Sequence, residues 1–227
     1  MRGAWQAVLS VLFPQRVVCH ACGAPLAGEN ALLCSRCAAS LAAHTFAPHK
    51  VETVVDIDVS FAAAPFGYQG APAALVKALK FGADSTAALP LAEGMAAAYA
   101  AMPQLRQATL CVPVPVHYRR QRQRGYNQAM LLGRAFCEMT SLAPPVELLV
   151  RLHHKHSQVG QGREARQHNI EGAFALRTGA ERAVRGRTVL LLDDVLTTGS
   201  TAAACARALR LAGAAQTMLL CACRVER

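Results

Sequence analysis

Residues 188–201 read TVLLLDDVLTTGST, and the rest of the chain is best read outward from them. Thr188 to Leu192 carry no charge and are β-branched or leucine. That composition fits a strand buried on both faces of a parallel sheet. Asp193 and Asp194 follow where such a strand would end, and Thr197-Thr198-Gly199-Ser200 form a short loop. An alanine-rich helix is predicted from Thr201 to Ala212, with Gly213 as its C-terminal stop. A strand–loop–helix unit of this kind carries its chemistry at the C-terminal end of the strand, where ligands bind in open α/β sheets.

The residue types indicate the ligand. Gly199 lets backbone approach closely and tolerates positive φ. The first N–H groups of the following helix, with its dipole, favour an anion. The hydroxyls of Thr197, Thr198, Ser200 and Thr201 can donate to phosphate oxygens. Two carboxylates beside a phosphate cradle would repel the phosphate itself. They make sense facing vicinal ribose hydroxyls, a hydrated Mg²⁺, or both. The implied ligand is a ribose 5-phosphate bearing further phosphate. The chain has no G-x-x-x-x-G-K-[ST] loop, so an ordinary ATP site is not indicated.

With 227 residues, the chain has room for one α/β domain and a small module. Its hydrophobic share of 53% supports a core, and its abundant alanine lets helices pack closely. A formal charge of +10 suits anionic partners such as phosphorylated metabolites or nucleic acid. No apolar run is long enough for a transmembrane helix, and the opening MRGAWQAVLSVLFPQR reads as a short amphipathic helix rather than an export signal. The nine cysteines are therefore expected as reduced thiols and metal ligands in a cytoplasmic protein.

Cys19-x₂-Cys22 and Cys34-x₂-Cys37 form two knuckles separated by eleven residues. Four thiolates at this spacing can close a structural tetrahedral Zn²⁺ site, leaving no position open for water. His20 is then expected at the surface and not among the ligands. The predicted division is a helix and zinc finger over residues 1–45 and the α/β domain over 46–227.

Beyond the finger, one or two strands are expected within Thr53 to Phe66, followed by helices over Pro72 to Phe81 and Ser85 to Ala101. Lys77 and Lys80 read as a solvated helix face. Ala108 to Val116, ATLCVPVPV, is a strand that ends in two prolines, fitting a loop of fixed geometry, cis or trans. HYRRQRQRGYNQ then places Arg119, Arg120, Arg122 and Arg124 in a basic loop, and arginine forks onto phosphate bidentately. Asn127 is placed to cap a helix from Gln128 to Met139. A strand is expected over Val146 to Leu152, a mobile loop over His153 to Gln167, and a last strand over Gln216 to Arg224.

LLLDDVLTTGST resembles the phosphoribosyl-pyrophosphate (PRPP) signature of type I phosphoribosyltransferases. The wider set of blocks resembles the ComF family of competence-associated proteins. Those blocks are LFP-x₄-C before the finger, LKFG at Leu79 to Gly82, PVPVHYRRQRQRGYNQA at Pro113 to Ala129, and Q-x₇-R-x₂-N-x₃-AF at Gln158, Arg166, Asn169 and Ala173-Phe174. The resemblance implies a type I phosphoribosyltransferase-like parallel sheet flanked by helices, behind a four-cysteine zinc module. It implies that Asp193 and Asp194 hold the ribose with Mg²⁺, and that Thr197, Thr198, Gly199, Ser200 and Thr201 hold the 5-phosphate. Val114, Pro115, Val116 and His117 would form the pyrophosphate loop, and Gln158, Arg166 and Asn169 belong to a flexible lid. Lys155 and Gln161 depart from the usual threonine and leucine of that lid.

The implied role is natural transformation or the use of external DNA, in contact with single-stranded DNA and proteins of the uptake machinery. Two chemistries remain open at this stage. One is a PRPP-binding factor that need not turn over. The other is an active phosphoribosyltransferase that passes phosphoribose to an amine or nucleobase and releases pyrophosphate. No general base is evident for an acceptor, which favours the first. A pure zinc-finger transcription factor fits less well, since one compact finger without a recognition helix reads few bases.

Overall fold

The computed structural model describes residues 18–26, 31–51, 58–82, 84–152 and 172–226. The N-terminal segment predicted as a helix and the lid residues Gln158, Arg166 and Asn169 lie outside them.

The 188–196 stretch is the strand around which the sheet is built. In chain order the strands are β1 (Phe61–Ala63), β2 (Phe66–Gly67), β3 (Leu110–Pro113), β4 (Leu149–Arg151), β5 (Phe174–Leu176), β6 (Thr188–Leu196) and β7 (Gln216–Arg224). The main sheet runs β1-β7-β6-β3, with β2 continuing along β7 after β1, and every pairing in it is parallel. β4 and β5 form a separate antiparallel pair. Parallel strands need crossover helices, and these cover both faces. The described helices are α1 (Ser35–Ala43), α2 (Gly70–Phe81), α3 (Ala88–Ala101), α4 (Tyr118–Arg124), α5 (Gln128–Glu138), α6 (Glu181–Val184) and α7 (Ser200–Leu211).

Alternation along β6 divides the core in two. Leu190 and Leu192 pack with Leu75 and Leu79 of α2, Leu91 and Met95 of α3, and Leu132 and Phe136 of α5. Val189 and Leu191 face the other way, onto Cys205, Ala206 and Leu209 of α7. Small side chains bring the helices close, as the alanine content suggested. At Gly94 in α3, a Cβ would overlap the Phe66 ring of β2.

Two local expectations change, and one left open is decided. β6 does not stop at Leu192, because β7 keeps pairing with it as far as Val195↔Cys223 and Leu196↔Arg224. On the opposite side the ladder with β3 does end, at Pro113↔Leu192. Asp193 and Asp194 therefore lie inside the strand on one side and beyond its last partner on the other. The arginine-rich run is a helix, α4, and not a loop. His117 Nδ1 accepts from the Arg119 N–H at 3.3 Å to cap its start, and Gly125 closes it at φ +83°. The peptide bonds ahead of Pro113 and Pro115 are trans. Among the described residues, no helix is long and apolar enough to cross a membrane.

Candidate functional site

The C-terminal ends of β3 and β6 are side by side, so the segments that follow them share one cleft. Val114 N–H donates to the Leu192 carbonyl at 2.9 Å, holding the 114–117 segment against the acid pair. Asn127 ties the next element to it. Its Nδ2 donates to the Val114 carbonyl at 3.1 Å, while its Oδ1 accepts from Ala129 N–H at 3.0 Å as the cap of α5. One buried side chain thus sets both the loop and the helix start.

The cleft has a volume of about 690 Å³. Of the residues singled out in the sequence, Val114, Pro115, Val116, Arg120, Arg124, Asp193, Asp194 and Thr201 line it. Arg119 and Arg122 of α4 do not; Arg119 Nε donates to the Tyr118 hydroxyl at 3.0 Å. Thr197, Gly199 and Thr201 share a recess of about 30 Å³ with Asp193. Gly199 precedes α7 at φ +79°, and the Thr198 hydroxyl lies 2.8 Å from that of Ser200. The start of α7 therefore borders the recess, and the first N–H groups of a helix are where an anion binds.

Several cleft residues were not anticipated. Lys80, read from the sequence as a solvated lysine, places Nζ 2.8 Å from Asp194 Oδ1. The periodicity of α2 could not reveal this, because the partner lies 114 positions away; the only signal was its place in the LKFG block. Arg151, Tyr68, Phe81 and Tyr126 also line the cleft; Phe81 and Tyr126 stand in the LKFG and PVPVHYRRQRQRGYNQA blocks, while nothing in the sequence set Arg151 or Tyr68 apart.

The acid pair is electrostatically tense. Asp194 is 4% exposed, and its second carboxylate oxygen, Oδ2, is buried with no hydrogen-bond partner among the described residues. Asp193 is half-buried, and its Oδ1 accepts from the Asp194 N–H at 2.8 Å. Desolvation first, and then the charge of Asp194, push the Asp193 carboxyl up to about 8, against the pull of that N–H and of Lys80. An unsatisfied buried carboxylate oxygen beside a carboxyl this hard to ionise fits a site completed by hydroxyl donors or a cation.

In the N-terminal module, the sulfurs of Cys19, Cys22, Cys34 and Cys37 all lie within 4.8 Å of one another. Cys22 Sγ and Cys34 Sγ are 3.8 Å apart. Tetrahedral Zn–S bonds of about 2.3 Å imply sulfur separations of about 3.8 Å, so the four-cysteine cluster fits a structural metal such as zinc. Gly23 turns the first knuckle at φ +72°, and Cys34 precedes α1, which carries Cys37 in its first turn. The module is docked on the α/β domain. Cys19 and Cys37 pack on Ala71, and the Ser40 hydroxyl accepts from the Ala71 N–H at 3.0 Å. His20 is not a free surface residue, since its Nδ1 lies 2.5 Å from Asp84 Oδ2. Asp84 in turn caps the 3₁₀ turn that leads into α3.

No protein-family model matches the chain. It is 31% identical over 216 residues to the DNA utilization protein YhgH of Salmonella typhi, covering 92% of this chain and 86% of that protein. It is 34% identical over 110 residues to Competence protein F of Haemophilus influenzae, spanning about half (48%) of each. The match to YhgH of Escherichia coli, 35% over 113 residues, likewise spans 48% of that protein. Among solved structures, the allosteric regulatory enzyme of purine biosynthesis resembles 61% of this chain and 26% of its own, at 19% identity and a TM-score of 0.40. A likeness that loose assigns neither substrate nor chemistry to this chain.

Proposed function

Because the chain belongs to the ComF family, that of Competence protein F and the DNA utilization protein YhgH, we propose that it binds PRPP with Mg²⁺ and serves DNA utilization in the cytoplasm. One observation carries the ligand reading. A carboxylate pair, three guanidinium groups (Arg120, Arg124 and Arg151) and the Thr201 end of the phosphate-type turn line a single cleft. That combination suits a ligand with hydroxyls at its centre and phosphate at both ends.

In this reading, Asp193 and Asp194 hold the ribose hydroxyls and a hydrated Mg²⁺, whose charge offsets that of the diphosphate. Thr197, Thr198, Gly199, Ser200 and Thr201 hold the 5-phosphate. Val114, Pro115, Val116 and His117 present backbone to the diphosphate, and Gln158, Arg166 and Asn169 belong to the lid. Residues 1–45 form a Zn²⁺ module on Cys19, Cys22, Cys34 and Cys37, and residues 46–227 form the ligand-binding domain. Arg119 and Arg122, outside the cleft, meet the backbone of single-stranded DNA, and proteins of the uptake machinery are the further partners.

The test is thermal denaturation with PRPP and Mg²⁺. A ligand that binds only the folded state at a hundred times its Kd adds about 2.7 kcal/mol to stability. The melting temperature should rise with PRPP and Mg²⁺, and rise less with ribose 5-phosphate, which leaves the 114–117 segment and the arginines unused. No rise at millimolar PRPP would remove the ligand from the reading. Pyrophosphate release, measured in the same samples with amines and nucleobases added, separates holding from turnover.

A further inference from the structure

Phe81 ends α2 one residue after Lys80, and its side chain is 78% exposed. A single exposed aromatic is ordinary on a protein surface. This one lines the cleft of the acid pair, and the Arg124 guanidinium lies 5.3 Å over its ring. Arg124 Nη1 also donates to Gln128 Oε1 at 3.0 Å, which fixes the guanidinium from the far side of the α4–α5 turn. Behind Phe81, the Tyr126 hydroxyl donates to the Leu79 carbonyl at 2.7 Å and pins the end of α2. The chain has seven Phe, four Tyr and one Trp; Tyr68, Phe81 and Tyr126 all line this cleft. Aromatic surface is scarce in the sequence and gathered here, next to groups suited to ribose and phosphate.

We propose that Phe81 and Arg124 form a stacking platform for a nucleobase at the mouth of the cleft. A ring and a guanidinium plane are the two surfaces on which unpaired bases stack, without regard to sequence. Lys80, the residue before Phe81, pairs with Asp194 in the same cleft, so a base on the platform would lie near the proposed ribose site. The placement rests on the PRPP reading for what lies inward, but the platform itself is tested without PRPP. The base can come from a single strand or from a free nucleobase or nucleotide; the chemistry at Phe81 is the same.

Trp5 is the chain's sole tryptophan, so Trp5→Phe combined with Phe81→Trp puts one fluorophore at the platform. Its emission should be quenched by a dT₁₂ oligonucleotide, by adenine, or by both, and not by an abasic strand of equal length and charge. Quenching by the oligonucleotide alone assigns the platform to strand binding, and quenching by adenine alone to a free base. Phe81→Ala should weaken dT₁₂ binding by roughly 5- to 150-fold, the range for removing one aromatic–base stack, and Phe81→Tyr should restore it. Equal affinity of Phe81→Ala and the parent for dT₁₂ and adenine, with no quenching of the introduced indole by either, would overturn the platform. A PRPP-induced melting shift that persists in Phe81→Ala shows that such a failure belongs to the platform and not to the PRPP site. Quenching without any PRPP shift would instead leave the platform standing and the PRPP reading lost.

Discussion

Lys80 Nζ lies 2.8 Å from Asp194 Oδ1, joining the last turn of α2 to the central strand of the sheet. The carboxylate side chain is 6% exposed and the ammonium side chain 21%. The pair therefore fixes the orientation of one member of the acid pair from outside the strand that carries it.

Breaking this pair should cost stability. Removing one partner of a fully buried ion pair costs about 3–5 kcal/mol, mostly because the other charge is left uncompensated. Lys80 keeps some contact with water, so on the order of 2 kcal/mol is expected for Lys80→Met. The double variant Lys80→Met/Asp194→Asn should recover much of that loss, since no orphan charge remains. Urea denaturation of the four proteins measures the coupling, and strictly additive losses would show that the pair contributes nothing.

The acid pair also sets a pH dependence. Asp193 is raised to about 8 in the folded protein, by desolvation and then by Asp194, from an ordinary carboxylate value near 3.8. In the window between the two values, the folded state holds a proton that the unfolded state has lost. Stability from this group is thus complete below about pH 4 and falls as pH rises through about 8. Asp193→Asn should flatten that decline and exceed the parent in melting temperature above pH 8. Scans from pH 5 to pH 9 check it, and parallel curves for the two proteins would exclude Asp193 as the source. Mg²⁺ should hold Asp193 ionised, so its addition at pH 7 should release protons from the parent and fewer from Asp193→Asn.

Much of this arrangement was legible in residues 188–201. A buried uncharged run, two acids, a hydroxyl-rich turn and a small-residue helix are local features, and each appears within a few residues of where its pattern placed it. The four-cysteine spacing was local in the same sense. What escaped were relations between distant segments. Lys80 follows the helical period of a solvated face, yet β6 brings Asp194 to it. Arg151 is an ordinary strand residue until the β4–β5 pair sets it at the cleft. The arginine run reads as a loop because its charges hide any apolar stripe; a seven-residue helix with no buried residue has none to show.

The metal module should fail locally when its ligands are removed. Cys34 stands at the start of α1, and Cys37 is the buried residue of that helix. Cys34→Ser should reduce bound zinc, measured by elemental analysis, and loosen α1 against α2, read as faster amide exchange at the Ser40–Ala71 contact. A segment this small gains its folding energy largely from the metal. The β6–β7 ladder should keep its protection. Undiminished zinc in Cys34→Ser would remove that cysteine from the ligand set.

The four arginines should separate into two functions. Arg120 and Arg124 line the cleft, while Arg119 and Arg122 are outside it. Arg119→Ala/Arg122→Ala should leave the PRPP melting shift intact and lower the salt slope of single-strand binding by up to about 1.4, at about 0.7 per phosphate contact. Arg120→Ala should cut the PRPP shift. Titrations at several salt concentrations decide it, and an unchanged slope would take Arg119 and Arg122 off the strand.

The turn before α7 makes the sharpest contrast between shape and donor. Gly199 sits at φ +79°, where a Cβ costs about 1–2 kcal/mol and a β-branched side chain more. Gly199→Val should therefore lower stability and abolish the PRPP shift together, because the turn can no longer aim the α7 N–H groups at the recess. Thr198→Val keeps the volume and the backbone. It removes the hydroxyl that lies 2.8 Å from Ser200 Oγ and 3.4 Å from the Ser200 N–H. Its stability should change by about 1 kcal/mol or less, while PRPP binding weakens by roughly tenfold, as expected for one lost hydrogen bond to a charged group. Calorimetry on both variants, with denaturation run alongside, tests the order. If Thr198→Val binds PRPP as the parent does, the turn acts through backbone alone; if Gly199→Val also binds normally, the phosphate lies elsewhere in the cleft.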